Sequence, residues 1–284
     1  MKIKFGGLAA IAGAMLLSMA LPVHGQTPAP ATVNFTNIAN PDIFGDGYVD
    51  PYVGTVKING SQINNNGLIV CDDFDDNIYL PEHWDATALT ASQLTTLTSA
   101  QLGADTLFGS TIGLDGYAAV ASLVTQLLNL SPPNSPTSSA NQLKQADLSA
   151  AIWYITSGGT KSGSTYTLEG YTLDANAASY VAAALAAYGT SGDVSQGTFT
   201  YSSSDDSTAA LAELNASTNL FILTPKAPYP VTYGPNGGRP QEMWTADPVP
   251  EGGAALLYLM LGGGVCFGAM FLNRRNRFAN LASA

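Results

Sequence analysis

The chain is poor in the residues on which most enzymes depend. It holds two cysteines and two histidines among 284 residues. His24 lies in an apolar leader and Cys266 in an apolar tail, so Cys71 and His83 stand alone between them. A lone thiol excludes an internal disulfide there, and it excludes a zinc site built from several cysteines. No Gly-x-Ser-x-Gly elbow, phosphate loop or dinucleotide fingerprint occurs. A carboxylate pair of the glycosidase kind stays open, because separation in space is not visible in sequence. Positive charge is scarce as well. Between Gln26 and Pro250 the basic residues are Lys57, Lys144, Lys161, Lys226 and Arg239, against 20 of the 21 acids, so this part carries 5 − 20 = −15. Such a surface repels nucleic acid and anionic lipid. The expectation is a non-enzyme with no cofactor and no nucleic-acid partner.

Long uncharged apolar runs lie at the two ends. Met1-Lys2-Ile3-Lys4 is a basic start, Phe5 to Leu21 is apolar, and Val23-His24-Gly25 offers modest residues before a cleavage after Gly25. This predicts a secretory signal peptide over 1–25, with the Sec translocon and signal peptidase as partners. An uncleaved anchor is the alternative. Residues 26–31 (Gln-Thr-Pro-Ala-Pro-Ala) read as a lead-in. At the other end, Gly252 to Leu272 is 21 residues without a charge. At about 1.5 Å per residue it spans a hydrocarbon core of about 30 Å. Arg274, Arg275 and Arg277 follow and predict a cytoplasmic end, with the bulk of the chain outside.

Val249-Pro250-Glu251-Gly252-Gly253, the apolar span 252–272 and the arginine cluster together occupy 249–277. This tail resembles the PEP-CTERM sorting signal of Gram-negative bacteria, with Gly252 and Gly253 where proline is commoner. The resemblance implies export, recognition by an exosortase-like membrane enzyme and removal of the tail. The chain would be held transiently at the inner membrane, then delivered to the cell surface or extracellular matrix.

The exported part is expected to run over 32–225, with a Pro-rich spacer at 226–248. Strand-like pieces occur at 33–35, 48–49 and Tyr52–Ile58. Asn59-Gly60 predicts a tight turn pairing Tyr52–Ile58 with Gly67–Asp72. Residues 86–102 suggest one or two short helices. Helical spacing appears over Leu114–Leu130, ended by Ser131–Pro136, and again over Asn141–Thr156. Asp174–Tyr188 reads as a helix capped by Asp174 and stopped by Gly189. Closing strands are expected at 199–201 and 220–224. The predicted class is α+β, a β-sandwich or barrel-like sheet with a helical insertion.

Cys71 follows the strand-like Gly67-Leu68-Ile69-Val70, and Asp147-Leu148-Ser149-Ala150-Ala151-Ile152-Trp153 comes about 80 residues later. This pair of motifs resembles the thioester domains of bacterial surface adhesins. There the resemblance implies a cysteine bonded to a glutamine side chain, making a trap for amines. Cys71, Ala151, Ile152 and Trp153 match. Ser149 stands where the motif as read here would place the glutamine, and a serine has no carboxamide carbon. Gln145, one helical turn earlier, is the substitute within reach. The expectation is a crosslink-free domain, structural or adhesive in biofilm or envelope, that binds extracellular polysaccharide or a cell surface. Covalent amine capture through Cys71 and a secreted carbohydrate-active hydrolase are the alternatives.

Three further groups are weaker. Asp72, Asp73, Asp75 and Asp76 are a calcium candidate without the glycine and terminal glutamate of an EF-hand; solvated loop charge is the plainer expectation. Asp42, Asp46 and Asp50 are similar. Trp84, Trp153 and Trp244 are candidates to stack on sugars, with Trp153 better suited to a core.

Overall fold

The computed structural model describes residues 27–38, 43–44, 47–48, 51–73, 82–130, 139–201, 207–226 and 241–247. The signal peptide, the sorting motif Val249–Gly253, the apolar span and its arginines lie outside these residues. So do Asp42, Asp46, Asp50, Asp75, Asp76 and the loop 131–136.

Period-two burial builds the sheet. Along β1 (Ala29–Ile38), Val33 and Phe35 are buried while Asn34 and Thr36 are exposed. β1 pairs antiparallel with β4 (Tyr52–Ile58) on one side and β6 (Glu82–Thr90) on the other. β4 pairs with β5 (Ser61–Cys71), β5 with β11 (Met243–Ala246), and β11 with β10 (Leu220–Pro225). β10 returns to β6, closing a six-stranded antiparallel barrel in the order β1-β4-β5-β11-β10-β6. Closure leaves no open edge among these strands. Phe35 sits inside, with ring centroids 5.5 Å from Tyr52 and 5.7 Å from Trp84. Burying one such ring contributes about 1.5–3 kcal/mol.

The β4–β5 hairpin turns at Asn59 and Gly60, whose φ values are 52° and 77°, and Ile58 pairs with Ser61. Two left-handed residues in a two-residue loop match the strand twist, which is why Asn-Gly serves here. β2 (Ile43–Phe44) and β3 (Gly47–Tyr48) form a separate two-stranded ribbon.

Between β6 and β10 the chain leaves the barrel and makes helices. Residues 82–90 continue as a strand, so the helices expected from 86 onward begin only at α1 (Ala91–Leu94) and α2 (Ser99–Asp105). Thr90 and Thr98 cap them, each exchanging hydrogen bonds with a glutamine three residues on. α3 (Gly109–Leu130) bends at Gly113, whose φ of 62° breaks the helical path. It is apolar enough to cross a membrane by length and composition, with mean hydropathy 1.2, yet 67% of that window is buried inside the protein. It is the core helix, packed on α4 (Ser139–Thr156). A small sheet follows, of β7 (Thr160–Ser162), β8 (Thr165–Leu168) and β9 (Tyr171–Thr172). α5 (Ala175–Tyr188) is capped by Asp174 and ended at Gly189, as the sequence predicts. α6 (Ser191–Gln196) and α7 (Thr208–Ala216) complete the insertion.

Two expectations change. Residues 199–201 are not a strand: the Tyr201 N–H donates to Thr111 O at 2.9 Å, and the Thr200 N–H and hydroxyl donate to the Asp193 carboxylate. The stretch 226–248 is not simply a spacer, because Met243–Ala246 returns as β11 between β5 and β10. The compact unit therefore ends at Ala246 rather than at 225.

Candidate functional site

Strand alternation divides the chemistry of β5 between two faces. Ile69 and Cys71 share one face; Val70 and Asp72 share the other. Opposite them on β11, Met243 pairs with Cys71 and Trp244 with Val70. The Asp72 N–H donates to Glu242 O at 3.3 Å, which carries the pairing one residue further. Gln241 is thereby brought to the same end as Cys71.

The contact between them is direct. The Cys71 thiol donates to Gln241 Oε1 at 2.9 Å, and it lies 3.0 Å from Asp73 O. The Asp73 N–H donates back to Sγ at 3.3 Å. Gln241 Nε2 donates to Asp73 O at 3.0 Å. The Asp73 backbone thus holds both the thiol and the carboxamide. Cys71 is 5% exposed and Gln241 4%. Burial pushes the thiol well above its ordinary value, and the neighbouring Asp73 charge pushes the same way.

The second motif meets the first from α4. Trp153 Nε1–H donates to Cys71 O at 3.1 Å, and the Thr156 hydroxyl donates to Asp72 O. Ala151, Ile152 and Ser149 are buried on the same helix. Gln145 is also fully buried, yet both its amide atoms lack a hydrogen-bond partner. The substitute glutamine is therefore not the one that meets the thiol; Gln241 is.

The opposite face is acidic. Asp72 and Glu242 are both fully buried, and the register that pairs Cys71 with Met243 sets them opposite each other on one face. Asp72 Oδ2 accepts from Trp244 Nε1 at 2.6 Å. Glu242 accepts from the Tyr117 hydroxyl at 2.7 Å, the Thr224 hydroxyl at 2.7 Å and the Leu107 N–H at 2.8 Å. Burial raises the Asp72 carboxyl well above the usual carboxylate range, and the neighbouring Glu242 charge adds to this. Burial raises Glu242 too, against the pull of its donors.

These positions correct several expectations. Asp72 and Asp73 are not solvated loop charges, being 0% and 3% exposed. Among the described residues no three metal-ligating side chains gather. Trp84, Trp153 and Trp244 are all buried, so none presents a face for a sugar. His83 is exposed on β6. The buried Asp72–Glu242 pair lies beneath α3 rather than across an open cleft, which is not how glycosidase acids are placed.

Sequence reasoning missed Gln241 because five prolines in 226–248 masked a short strand. The signal was there: Gln-Glu-Met-Trp-Thr-Ala has no glycine or proline and contains the strand formers Trp and Thr. No family model, no curated protein and no solved structure matches this chain.

Proposed function

We propose that this is an exported, surface-sorted protein whose barrel carries an internal thioester between Cys71 and Gln241 and uses it to capture amines covalently. The observation that supports this reading is the thiol set 2.9 Å from the Gln241 carboxamide oxygen, one bond from the carbon it would attack. The chemistry balances without an oxidant. Sulfur bonds to the Gln241 carbonyl carbon, the C–N bond breaks, and nitrogen leaves with the thiol proton as ammonia. A primary amine, such as a lysine on a partner surface, then attacks that carbon. A C–N bond forms, the C–S bond breaks and the thiol regains its proton.

Burial serves this chemistry twice. It keeps water from the acyl carbon. It also makes a free thiolate costly, as the raised thiol value reflects, so uncaptured thioester is slow to open. The Asp73 N–H, aimed at Sγ, is the fixed donor for the charge that develops there.

Export and sorting complete the proposal: the leader 1–25 directs secretion, and the tail 249–277 directs an exosortase-type enzyme and delivery to the surface or matrix. The decisive measurement is intact mass of the secreted protein with and without a small amine. The expected species has lost one ammonia, about 17 Da, and gains the amine on incubation. Cys71→Ala and Gln241→Ala must each abolish both changes. A free thiol at full mass would sink the thioester and return the function to non-covalent adhesion.

A further inference from the structure

The proposed thioester chemistry uses only one face of β5 and β11; the other face holds a buried pair of acids with no base beside it. We propose that Asp72 and Glu242 hold one proton between them, and that this proton is the clamp keeping Cys71 opposite Gln241, which makes Asp72 a positioning residue for thioester formation. This rests on the thioester reading above.

The hydrogen bonds assign the proton. Two fully buried carboxyls set opposite each other with no base beside them cannot both be ionised, so one of them is an acid. Glu242 accepts from three donors: Tyr117, Thr224 and the Leu107 N–H. Asp72 accepts from Trp244 alone, and its buried Oδ1 has no donor. Charge is better stabilised where donors are more numerous, so it resides on Glu242 and the proton on Asp72. With the proton on it, the orphaned Oδ1 no longer lacks a donor of its own.

Every group around the pair agrees. α3 contributes Tyr117, itself held neutral by burial and by the Glu242 charge. β10 contributes the Thr224 hydroxyl, and β11 the Trp244 N–H. On the β5 side the titratable neighbours are Asp73, whose charge opposes a second negative charge, and Cys71, whose thiol burial keeps neutral. α4 offers Trp153 and Thr156, which bind the carbonyls of residues 71 and 72. None of these groups is basic.

Position makes the pair a clamp. Cys71 and Asp72 are consecutive, as are Gln241 and Glu242, so the shared proton lies one residue from the reacting atoms, about 3.3 Å along each strand. Removing the proton places two negative charges in the interior, and like charges there drive the strands apart.

The test uses the full-length chain, exported and purified, with Asp72→Asn and Asp72→Ala. Asparagine keeps a donor toward Glu242 and an acceptor for Trp244; alanine keeps neither. Two readouts are followed: the infrared carbonyl band of a protonated carboxyl, and the rate of ammonia loss against pH. The wild-type band should be present at neutral pH and vanish in Asp72→Asn. Asp72→Asn should form the thioester at close to the wild-type rate, whereas Asp72→Ala should slow it about 100-fold, the usual cost of a misplacement of about 1 Å. Wild-type formation should fall as the pair loses its proton at rising pH, while Asp72→Asn should accelerate as the thiol ionises. A wild-type rate in Asp72→Ala, or the same pH profile in wild type and Asp72→Asn, overturns the clamp. Ammonia loss with no protonated-carboxyl band overturns the shared proton alone. The band without any ammonia loss sinks the thioester and with it the positioning role.

Discussion

Opening the proposed Cys71–Gln241 thioester should cost the fold several kilocalories per mole without a single residue being changed. The two positions are 170 apart in sequence, so a covalent bond between them would close a loop of that size in the unfolded chain. Chain-entropy arithmetic for a crosslink closing 170 residues gives about 5 kcal/mol at 25 °C, an upper figure because engineered crosslinks commonly deliver less. For a domain of this size each kilocalorie shifts the melting temperature by about 2–4 °C. The expected drop on opening is therefore about 10–20 °C. The perturbation is methylamine, which cleaves the thioester and leaves the amide on Gln241. The assay is scanning calorimetry of three samples: untreated wild type, methylamine-treated wild type and Cys71→Ala. The treated protein should melt close to Cys71→Ala, and both far below the untreated protein. Cys71→Ala also loses the thiol's hydrogen bonds, a further cost of about 1 kcal/mol, so it should lie slightly lower. Methylamine that leaves the melting temperature within a degree refutes the argument, because loop closure cannot be so small if the bond exists.

Three more expectations come from single groups. Asp72 binds its proton more tightly in the folded than in the unfolded state, so its contribution is full below the ordinary carboxylate range and is lost as pH rises toward its raised folded value; denaturant titrations should show stability falling with pH across that window, and a flat Asp72→Asn profile confirms the source. Gln145→Leu removes an amide with both atoms buried and unpartnered, and should stabilise the protein by about 1–3 kcal/mol in urea unfolding. Trp153→Phe keeps the ring but loses the donor to Cys71 O, and should cost about 1 kcal/mol and slow thioester formation; an unchanged rate would mean that α4 does not hold the reacting strand.

Local chemistry was the most legible part of the fold. Asn59-Gly60 announces its hairpin because few other pairs accept two left-handed residues in succession. Asp174 announces α5 because its carboxylate meets the free N–H groups of residues 176 and 177. Long-range pairing was not legible. Residues 86–90 look helical beside Thr87 and Ala88, yet they are a strand because β1 and β10 flank them. Phe199–Tyr201 has strand-forming residues but no strand beside it. The site divides in the same way. Cys71 and Trp153 were found as motifs, whereas Gln241 is placed by the four-residue strand that follows it, which fills the gap between β5 and β10.

β11 also has a mechanical meaning. Tension on the chain following Asp247 enters the barrel at Ala246, opposite Leu220, and must unzip β11 toward Met243 before it reaches Gln241. If the proposed thioester joins Gln241 to Cys71, unzipping stops there. The pull passes straight across to β5, and the stretch from Asp72 to Pro240, helices included, hangs off the tensed path as a slack loop that force cannot extend.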